Sequence, residues 1–150
     1  MNEEHTEKLY KDFPNLYCGK DKTLQESLMP FGFMCGDGWF KLIHNLSRRI
    51  TKLDPEGRVE AVEVKEKFGG LRFYINAAPK EIHDLIQVAE DKSYHICEEC
   101  GHKGKIRDDI GWYRTLCEQH YKEVKYGPKK HITKLKPFKH HTNKRYKGKK

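Results

Sequence analysis

Two cysteine motifs constrain the fold of this 150-residue chain more than any other feature. The first is Cys97-x-x-Cys100, and the second, further along the chain, is Cys117-x-x-His120. Each motif brings two metal-ligating side chains onto one short turn, and three thiolates with one imidazole are typical of a closed tetrahedral zinc site. The sequence therefore predicts a zinc ion bound by these four residues.

The identity of the fourth ligand stays open at this level. His120 has the spacing from Cys117 that a zinc motif requires, but His102 and His95 also lie near the first motif. His102 follows Cys100 closely enough to compete with His120 for the metal.

The predicted zinc site is structural rather than catalytic. Four protein ligands leave no position open for water, whereas a catalytic zinc keeps one. The zinc-deaminase pattern needs a glutamate two residues after its histidine or cysteine, but His95 is followed by Ile96 and Cys97. We therefore expect a protein that is not an enzyme.

One enzymatic alternative is a metal-dependent nuclease. Four acidic residues near the zinc motifs could bind a catalytic magnesium ion, as in nucleases built on treble-clef modules: Glu98, Glu99, Asp108 and Asp109. Such a nuclease also needs a general-base histidine on its hairpin, and residues 105–115 contain none. The nuclease is therefore the least favoured interpretation.

The basic charge of the chain is concentrated at one end. The formal net charge is +8, yet residues 1–125 hold twenty basic and twenty-two acidic side chains, a net charge of −2. The excess lies in a segment without a single acid, whose basic residues are Lys129, Lys130, Lys134, Lys136, Lys139, Lys144, Arg145, Lys147, Lys149 and Lys150. With few large apolar residues, this segment predicts a disordered tail that binds nucleic-acid phosphates without base specificity. A solubilising tail is the alternative.

The rest of the composition favours a cytoplasmic protein. No apolar run approaches the roughly 20 residues that span a bilayer. The acidic start, Met1 to Glu4, lacks the layout of a signal peptide. Five cysteines, an odd number, favour metal ligands and buried thiols over disulfides.

Hydrophobic periodicity predicts an α+β fold, with amphipathic helices packed on a β-hairpin. Two short helices are expected first, over residues 3–17 and over 23–28 with Thr23 as cap. A longer helix is expected from Trp39 to Leu53, with Asp37 as its N-cap. A fourth is expected to begin at Pro79, which would be its first helical residue. The hairpin is expected where two alternating runs, residues 59–68 and 71–75, flank Gly69-Gly70, because primed turns need positive φ at their central residues.

Three parts of the chain follow from these assignments. They are an α+β core over residues 1–93, a zinc-finger-like module over 94–125 and the basic tail over 126–150. In the module, a hairpin over 105–115 separates the first cysteine pair from Cys117 and His120, which open a helix. That order is typical of a treble clef, and a zinc ribbon is the competing interpretation.

Two further motifs invite functional interpretations. Cys35-Gly36-Asp37-Gly38 is expected to cap a helix beside a buried cysteine, although Cys35 with Cys18 and His44 could approach a second metal site. In residues 67–74, basic side chains are interleaved with aromatic ones, so that the rings could stack on bases and the cations could pair with phosphates. The alternative is an ordinary strand pair, with Phe68, Leu71 and Phe73 in the core and Lys65, Lys67 and Arg72 in solvent.

The chain resembles a family of small proteins encoded by bacteriophages and prophages. The matching motifs are Phe31-Gly32-Phe33-Met34-Cys35-Gly36-Asp37-Gly38-Trp39-Phe40, Lys65-Glu66-Lys67-Phe68-Gly69-Gly70-Leu71-Arg72-Phe73-Tyr74 and the CxxC and CxxH pairs, over roughly residues 8–121. This resemblance implies a phage or prophage setting, hence the cytoplasm of a bacterial host, and no particular mechanism. The basic tail lies outside it.

The leading hypothesis is a zinc-stabilised, non-enzymatic phage accessory protein that binds DNA or RNA, or a nucleic-acid-processing complex. The tail would supply affinity, and Lys65, Lys67, Arg72 and Arg114 are candidates for a second contact surface. The alternative is a module that binds or inhibits a host protein through exposed Trp39, Phe40 or Trp112.

Overall fold

The computed structural model describes residues 1–127, and their fold is α+β, as the sequence predicts. The helices and strands in this part of the chain are α1 (Glu3–Asp12), β1 (Phe33–Met34), α2 (Phe40–Leu53), β2 (Ala61–Lys67), β3 (Gly70–Ile75), α3 (Lys80–Ser93), β4 (Lys105–Arg107), β5 (Arg114–Leu116) and α4 (Glu118–Tyr126). The predicted disordered tail and its ten basic residues lie outside the described residues, apart from Tyr126 and Gly127.

A three-stranded sheet in the order β1-β2-β3 forms the centre of the fold. Strands β2 and β3 are the predicted antiparallel hairpin, whose register pairs Lys67 with Gly70. The two turn residues are therefore Phe68 and Gly69, not the predicted Gly69 and Gly70. Strand β1 pairs parallel to β2 and was not predicted, because two residues carry no alternation.

Side chains of α3 accept hydrogen bonds from β3, the outer strand of the sheet. The amide of Leu71 donates to Ser93 Oγ at 2.8 Å, and the amide of Phe73 donates to Glu90 Oε1 at 2.9 Å. An unpaired strand edge is a site of unwanted pairing, and these acceptors satisfy two of its donors. The same helix packs on α2 and buries Ile82 on the side predicted from its periodicity.

The core lies between the sheet and helices α1, α2 and α3. Its largest fully buried side chains include Trp39, Tyr17, Leu9, Met29, Ile43, Ile50, Leu71 and Val64. Trp39 donates its indole N–H to the carbonyl oxygen of Ile96 at 2.9 Å. The prediction of an exposed Trp39 is therefore wrong, and Phe40 is half-buried, whereas Trp112 is exposed.

Three local predictions differ from the structure. Thr23 starts a single turn rather than a helix, because the amide of Leu28 donates to the Val62 carbonyl of β2 at 2.8 Å instead of continuing the turn. Asp37 is not the N-cap of α2, because its carboxylate accepts from the Asn2 amide and the His5 ring instead. Pro79 is the N-cap of α3 rather than its first helical residue.

The segment after α3 follows the predicted order. A turn centred on Cys97 to His102 leads into the β4–β5 hairpin, and Cys117 is the N-cap of α4. A cysteine-bearing turn, a hairpin and a helix in this order match the treble-clef interpretation rather than the zinc ribbon. Among residues 1–127, no helix has the length and apolar character needed to cross a bilayer.

Candidate metal centre

The four predicted ligands lie together in the structure. One ligand atom each from Cys97, Cys100, Cys117 and His120 falls within 4.8 Å of all the others. The Sγ atoms of Cys100 and Cys117 are 3.8 Å apart, and Nδ1 of His120 is 3.6 Å from Cys97 Sγ and 3.2 Å from Cys117 Sγ. Within the described residues, this is the one group of at least three such side chains.

These separations fit a tetrahedral ion. Zinc bonds of about 2.3 Å to sulfur and about 2.0 Å to nitrogen place two sulfurs about 3.8 Å apart and a sulfur and a nitrogen about 3.5 Å apart. A ligating imidazole also tends to have a carboxylate near its second nitrogen. Nε2 of His120 lies 4.0 Å from Glu123 Oε2. The cluster is compatible with a zinc-binding module.

The first motif forms a tight backbone turn. The amide of Cys97 donates to the His102 carbonyl at 2.7 Å, and the amide of Gly101 donates to the Cys97 carbonyl at 2.9 Å. Gly101 has φ of +77°, a left-handed conformation that glycine adopts without steric cost. These bonds place both sulfurs of the motif on one side of the turn, where two thiolates can reach one ion.

The Cys35–Gly38 segment holds this turn against the core. The amide of Gly38 donates to the Glu98 carbonyl at 2.7 Å, and the amide of Gly36 donates to Glu98 Oε1 at 3.0 Å. A Cβ atom on either glycine would overlap the backbone of the turn. The segment is therefore a docking surface for the metal module, and the absence of side chains at both glycines permits the close approach.

The tip of the β2–β3 hairpin forms a second contact with the metal module. Thr115 of β5 is fully buried, and its hydroxyl donates to the Gly69 carbonyl at 2.6 Å. A Cβ atom on Gly69 would lie 3.3 Å from the Ile106 side chain of β4. The two glycine-rich motifs of the sequence thus hold the metal module at two separate places.

Acidic residues of the first motif take part in this packing. The Glu98 side chain is buried, and Oε2 lies 3.8 Å from Nε of Arg114, whose guanidinium also pairs with Glu99. Burial raises the pKa of Glu98, while the Gly36 amide and Arg114 act in the opposite direction. Glu98 and Glu99 therefore serve the attachment of the turn.

Helix α4 depends on polar contacts because it buries none of its side chains. Arg107 of β4 donates to Glu118 Oε2 at 2.9 Å, and its guanidinium lies 4.0 Å from the centre of the Tyr121 ring. The Asp109 carboxylate accepts from Tyr121 Oη at 2.7 Å and pairs with Lys125. Together with the ligands at its first turn, these contacts hold α4 in place.

The thiols of the cluster differ in their acidity without a metal. Burial opposes ionisation of Cys117, but hydrogen bonds from the His120 backbone and ring and from the neighbouring thiols lower its pKa to about 7. Burial and the neighbouring thiols raise the pKa of Cys100 to about 11. Because zinc binds thiolates, the metal has to displace the proton of Cys100.

The two alternative fourth ligands lie outside the cluster. Nδ1 of His102 contacts the Cys100 sulfur at 3.2 Å, but its side chain is exposed and does not join the group of four. His95 is exposed, and its carbonyl accepts from the Gly104 amide. His120 is therefore the histidine that completes the set.

The suggested second metal site is not formed among the described residues. Cys35 is buried, which raises its pKa to about 12, and His44 pairs with Asp12 at 2.8 Å. Cys18 lies beside Glu60 and belongs to no metal-binding group in residues 1–127. The predicted burial of Cys35 is confirmed, whereas the helix cap predicted beside it is not formed by Asp37.

The four candidates for a second contact surface have different surroundings. Lys65 pairs with Glu63 at 2.8 Å, and Arg114 pairs with Glu98 and Glu99. The guanidinium of Arg72 donates to the Leu71 carbonyl and to the hydroxyl of Tyr94.

Lys67 is exposed and forms no ion pair within the described residues. Phe68, expected in the core, is exposed, whereas Leu71 and Phe73 are buried as predicted.

Comparison with known proteins adds no assignment. No protein-family model, no curated protein and no solved structure matches the chain. The donor set and its geometry are the observations that assign the metal centre.

Proposed function

We propose that this chain is a zinc-stabilised, non-enzymatic protein that contacts nucleic acid or a nucleic-acid-processing complex. The cluster of three cysteines and one histidine carries the first half of the proposal, since its distances suit zinc and its four ligands complete a tetrahedron. The zinc would hold together residues 97–120, a segment too short to build a core of its own.

The position of α4 links the metal to the predicted binding segment. Cys117 and His120 lie at the first turn of this helix, whose side chains are all at least partly exposed. Gly127 follows the helix, and the ten basic residues of 129–150 come next in the sequence. A zinc ion that fixes α4 therefore also fixes the position of Gly127, to which the basic segment is joined in the sequence.

The charge of that segment supports a polyanionic partner. Ten cations without an intervening acid attract phosphate backbones by release of condensed counterions, a term that depends little on base sequence. The phage or prophage setting that we propose from the sequence motifs would bring DNA and RNA within reach of that segment. We therefore favour nucleic acid over other acidic partners.

A second candidate is a module that binds a host protein. Trp112 is 73% exposed in the β4–β5 loop, and large exposed aromatics are enriched where proteins meet. Metal-dependent nuclease activity is the third, although the Asp109 carboxylate is engaged with Tyr121 and Lys125.

The direct test is a salt titration of binding with the full-length, zinc-loaded protein and a labelled oligonucleotide, followed by fluorescence anisotropy. If 6–10 phosphates are contacted, affinity should fall by roughly 10³–10⁵ between about 50 and 200 mM salt. Salt-independent binding, or no binding at low salt, contradicts the proposal.

The matched control is a full-length variant in which the ten basic residues of 129–150 are replaced by glutamine. It should lose oligonucleotide binding while a complex with a host protein, if there is one, survives. A pull-down from bacterial cells, with and without nuclease treatment, then separates the two candidate functions.

The nuclease has a separate test. Cleavage of the oligonucleotide that is lost on substitution of Asp108 or Asp109 would favour it.

A further inference from the structure

The turn of the β2–β3 hairpin contains an unfavourable residue. Phe68 has φ of +53°, and it is the only residue other than glycine with positive φ in residues 1–127. Asn, Asp and Gly populate this region readily, whereas a bulky aromatic side chain does so rarely. A primed two-residue turn of this kind favours Asn-Gly, so stability alone does not explain a phenylalanine here.

The Phe68 ring gains little from burial in exchange. It is 64% exposed, and the ammonium of Lys67 lies 5.5 Å from the centre of the ring. A strained backbone that presents an exposed apolar ring is the kind of outlier that indicates a binding function.

Cations and aromatic rings lie along one side of the hairpin whose turn contains Phe68. Register pairs Lys65 with Arg72 and Glu63 with Tyr74, and the Lys65 ammonium lies 5.8 Å from the centre of the Tyr74 ring. We call the five residues on this side the hairpin face: Lys65, Lys67, Phe68, Arg72 and Tyr74.

The charges of this face are only partly neutralised. Its three cations meet one carboxylate on the same side of the strand pair, Glu63, which binds Lys65. Arg72 donates to Tyr94 Oη, a neutral acceptor. Glu66, on the opposite side, bonds to the Gly69 amide. Lys67, beside the ring, is therefore available to a phosphate.

We propose that the hairpin face binds single-stranded nucleic acid, with one base stacked on Phe68 and the adjacent phosphate bound by Lys67. A base offers its flat face to a protein ring only when it is unstacked, which single strands permit and duplexes resist. The positive charge beside the ring complements a phosphate backbone. This inference rests on the proposed function. It adds that the bound nucleic acid is single-stranded and that Phe68 is the residue that recognises it.

The test compares three full-length, zinc-loaded proteins by fluorescence anisotropy on a single-stranded oligonucleotide and on a duplex of the same sequence. They are the native chain, Phe68→Asn and the control Phe31→Asn. Asparagine suits the turn at position 68, so this variant should melt at or above the temperature of the native chain. Phe31 is a matched control because it is 60% exposed and lies beside the other end of the sheet, in the turn before β1.

The proposal predicts that Phe68→Asn weakens single-strand binding by roughly 5- to 100-fold, the usual range for loss of one stacked base, while Phe31→Asn changes it less than about twofold. Duplex affinity, which depends on backbone charge, should change little in either variant.

Equal single-strand affinity of Phe68→Asn and the native chain overturns the inference and leaves the proposed function standing. Failure of the native chain to bind either oligonucleotide overturns the proposed function itself. If Phe68→Asn keeps its oligonucleotide affinity and loses a host-protein complex instead, the hairpin face is a protein interface and the inference is wrong.

Discussion

Gly38 lies so close to the carbonyl oxygen of Cys97 that a side chain at position 38 would overlap it. Its amide donates to the next carbonyl, that of Glu98, at 2.7 Å. The backbone of the first metal motif is thus bonded to the segment that precedes α2, far away in the sequence. The metal module is an integral part of the packing of this protein rather than a separate appendage.

Gly38→Ala tests this contact. The added methyl group would push the Cys97 turn away from the core, so we expect a loss of about 1–3 kcal/mol or more in the free energy of unfolding. Weaker zinc binding in a competition with a chromophoric chelator should accompany it. Gly111→Ala is the control, because its site is open and only the φ of +101° opposes a side chain. Equal losses of zinc affinity in the two variants would contradict the contact.

Substitutions of Glu98 test the interface between the Cys35–Gly38 segment and the metal module, because they change its charge and its hydrogen bond to Gly36. Glu98→Ala removes the acceptor of the Gly36 amide and should cost about 1–3 kcal/mol in chemical denaturation. Glu98→Gln keeps an acceptor and avoids a buried charge, so it should be at least as stable as the native chain at neutral pH.

The pH dependence of that difference follows from the raised pKa of Glu98. A carboxyl with a raised pKa in the folded state carries its penalty above that pKa and loses it on protonation. The advantage of Glu98→Gln over the native chain should therefore shrink as the pH falls towards the raised pKa. An advantage that grows on acidification would contradict the assigned cause.

The zinc content and zinc affinity of two variants show whether His120 or His102 is the fourth ligand. His120→Ala should lower zinc affinity by more than the roughly 10–100-fold that loss of an outer partner costs, because it removes a ligand. His102→Ala should keep one zinc per chain and near-native affinity. Mass spectrometry under native conditions, with competition titrations, gives both values. The reverse order of effects would assign the site to His102.

Several features of the site were predictable from local sequence, and others were not. The four ligands were found because two ligands three residues apart must share a turn, whatever surrounds them. The prediction for Asp37 was wrong because its carboxylate bonds to Asn2 and His5, residues that no local pattern connects to it. The predicted surface exposure of Trp39 was wrong for a related reason. Its ring fills the core, and its indole N–H donates to the carbonyl of Ile96, a residue far along the chain.

The two glycine motifs show the same limit. Their glycines indicated turns, but the reason for Gly36, Gly38 and Gly69 is contact with segments far along the chain. The exposure of Phe68 also depended on a detail of register. Shifting the turn by one residue moved this side chain from the expected core into solvent.

Zinc binding should release protons. Near pH 7.5, metal-free Cys100, whose pKa is raised to about 11, holds its proton. Since the metal takes thiolates, titration calorimetry in buffers of different ionisation enthalpy should show release of at least one proton per zinc. Heats that are the same in every buffer would contradict thiolate coordination by Cys100.

Hydrogen exchange with and without zinc tests the central claim most directly, namely that the metal holds the β4–β5 hairpin and α4 in place on the rest of the fold. Removal of zinc should abolish amide protection in Glu118–Tyr126, because α4 buries no side chain of its own, and should lower it in Lys105–Arg107 and Arg114–Leu116, where Thr115 still bonds to Gly69. Protection in Phe40–Leu53 and in the β2–β3 hairpin should persist, since these elements form the hydrophobic core. Unchanged protection of α4 in the zinc-free protein would contradict the account.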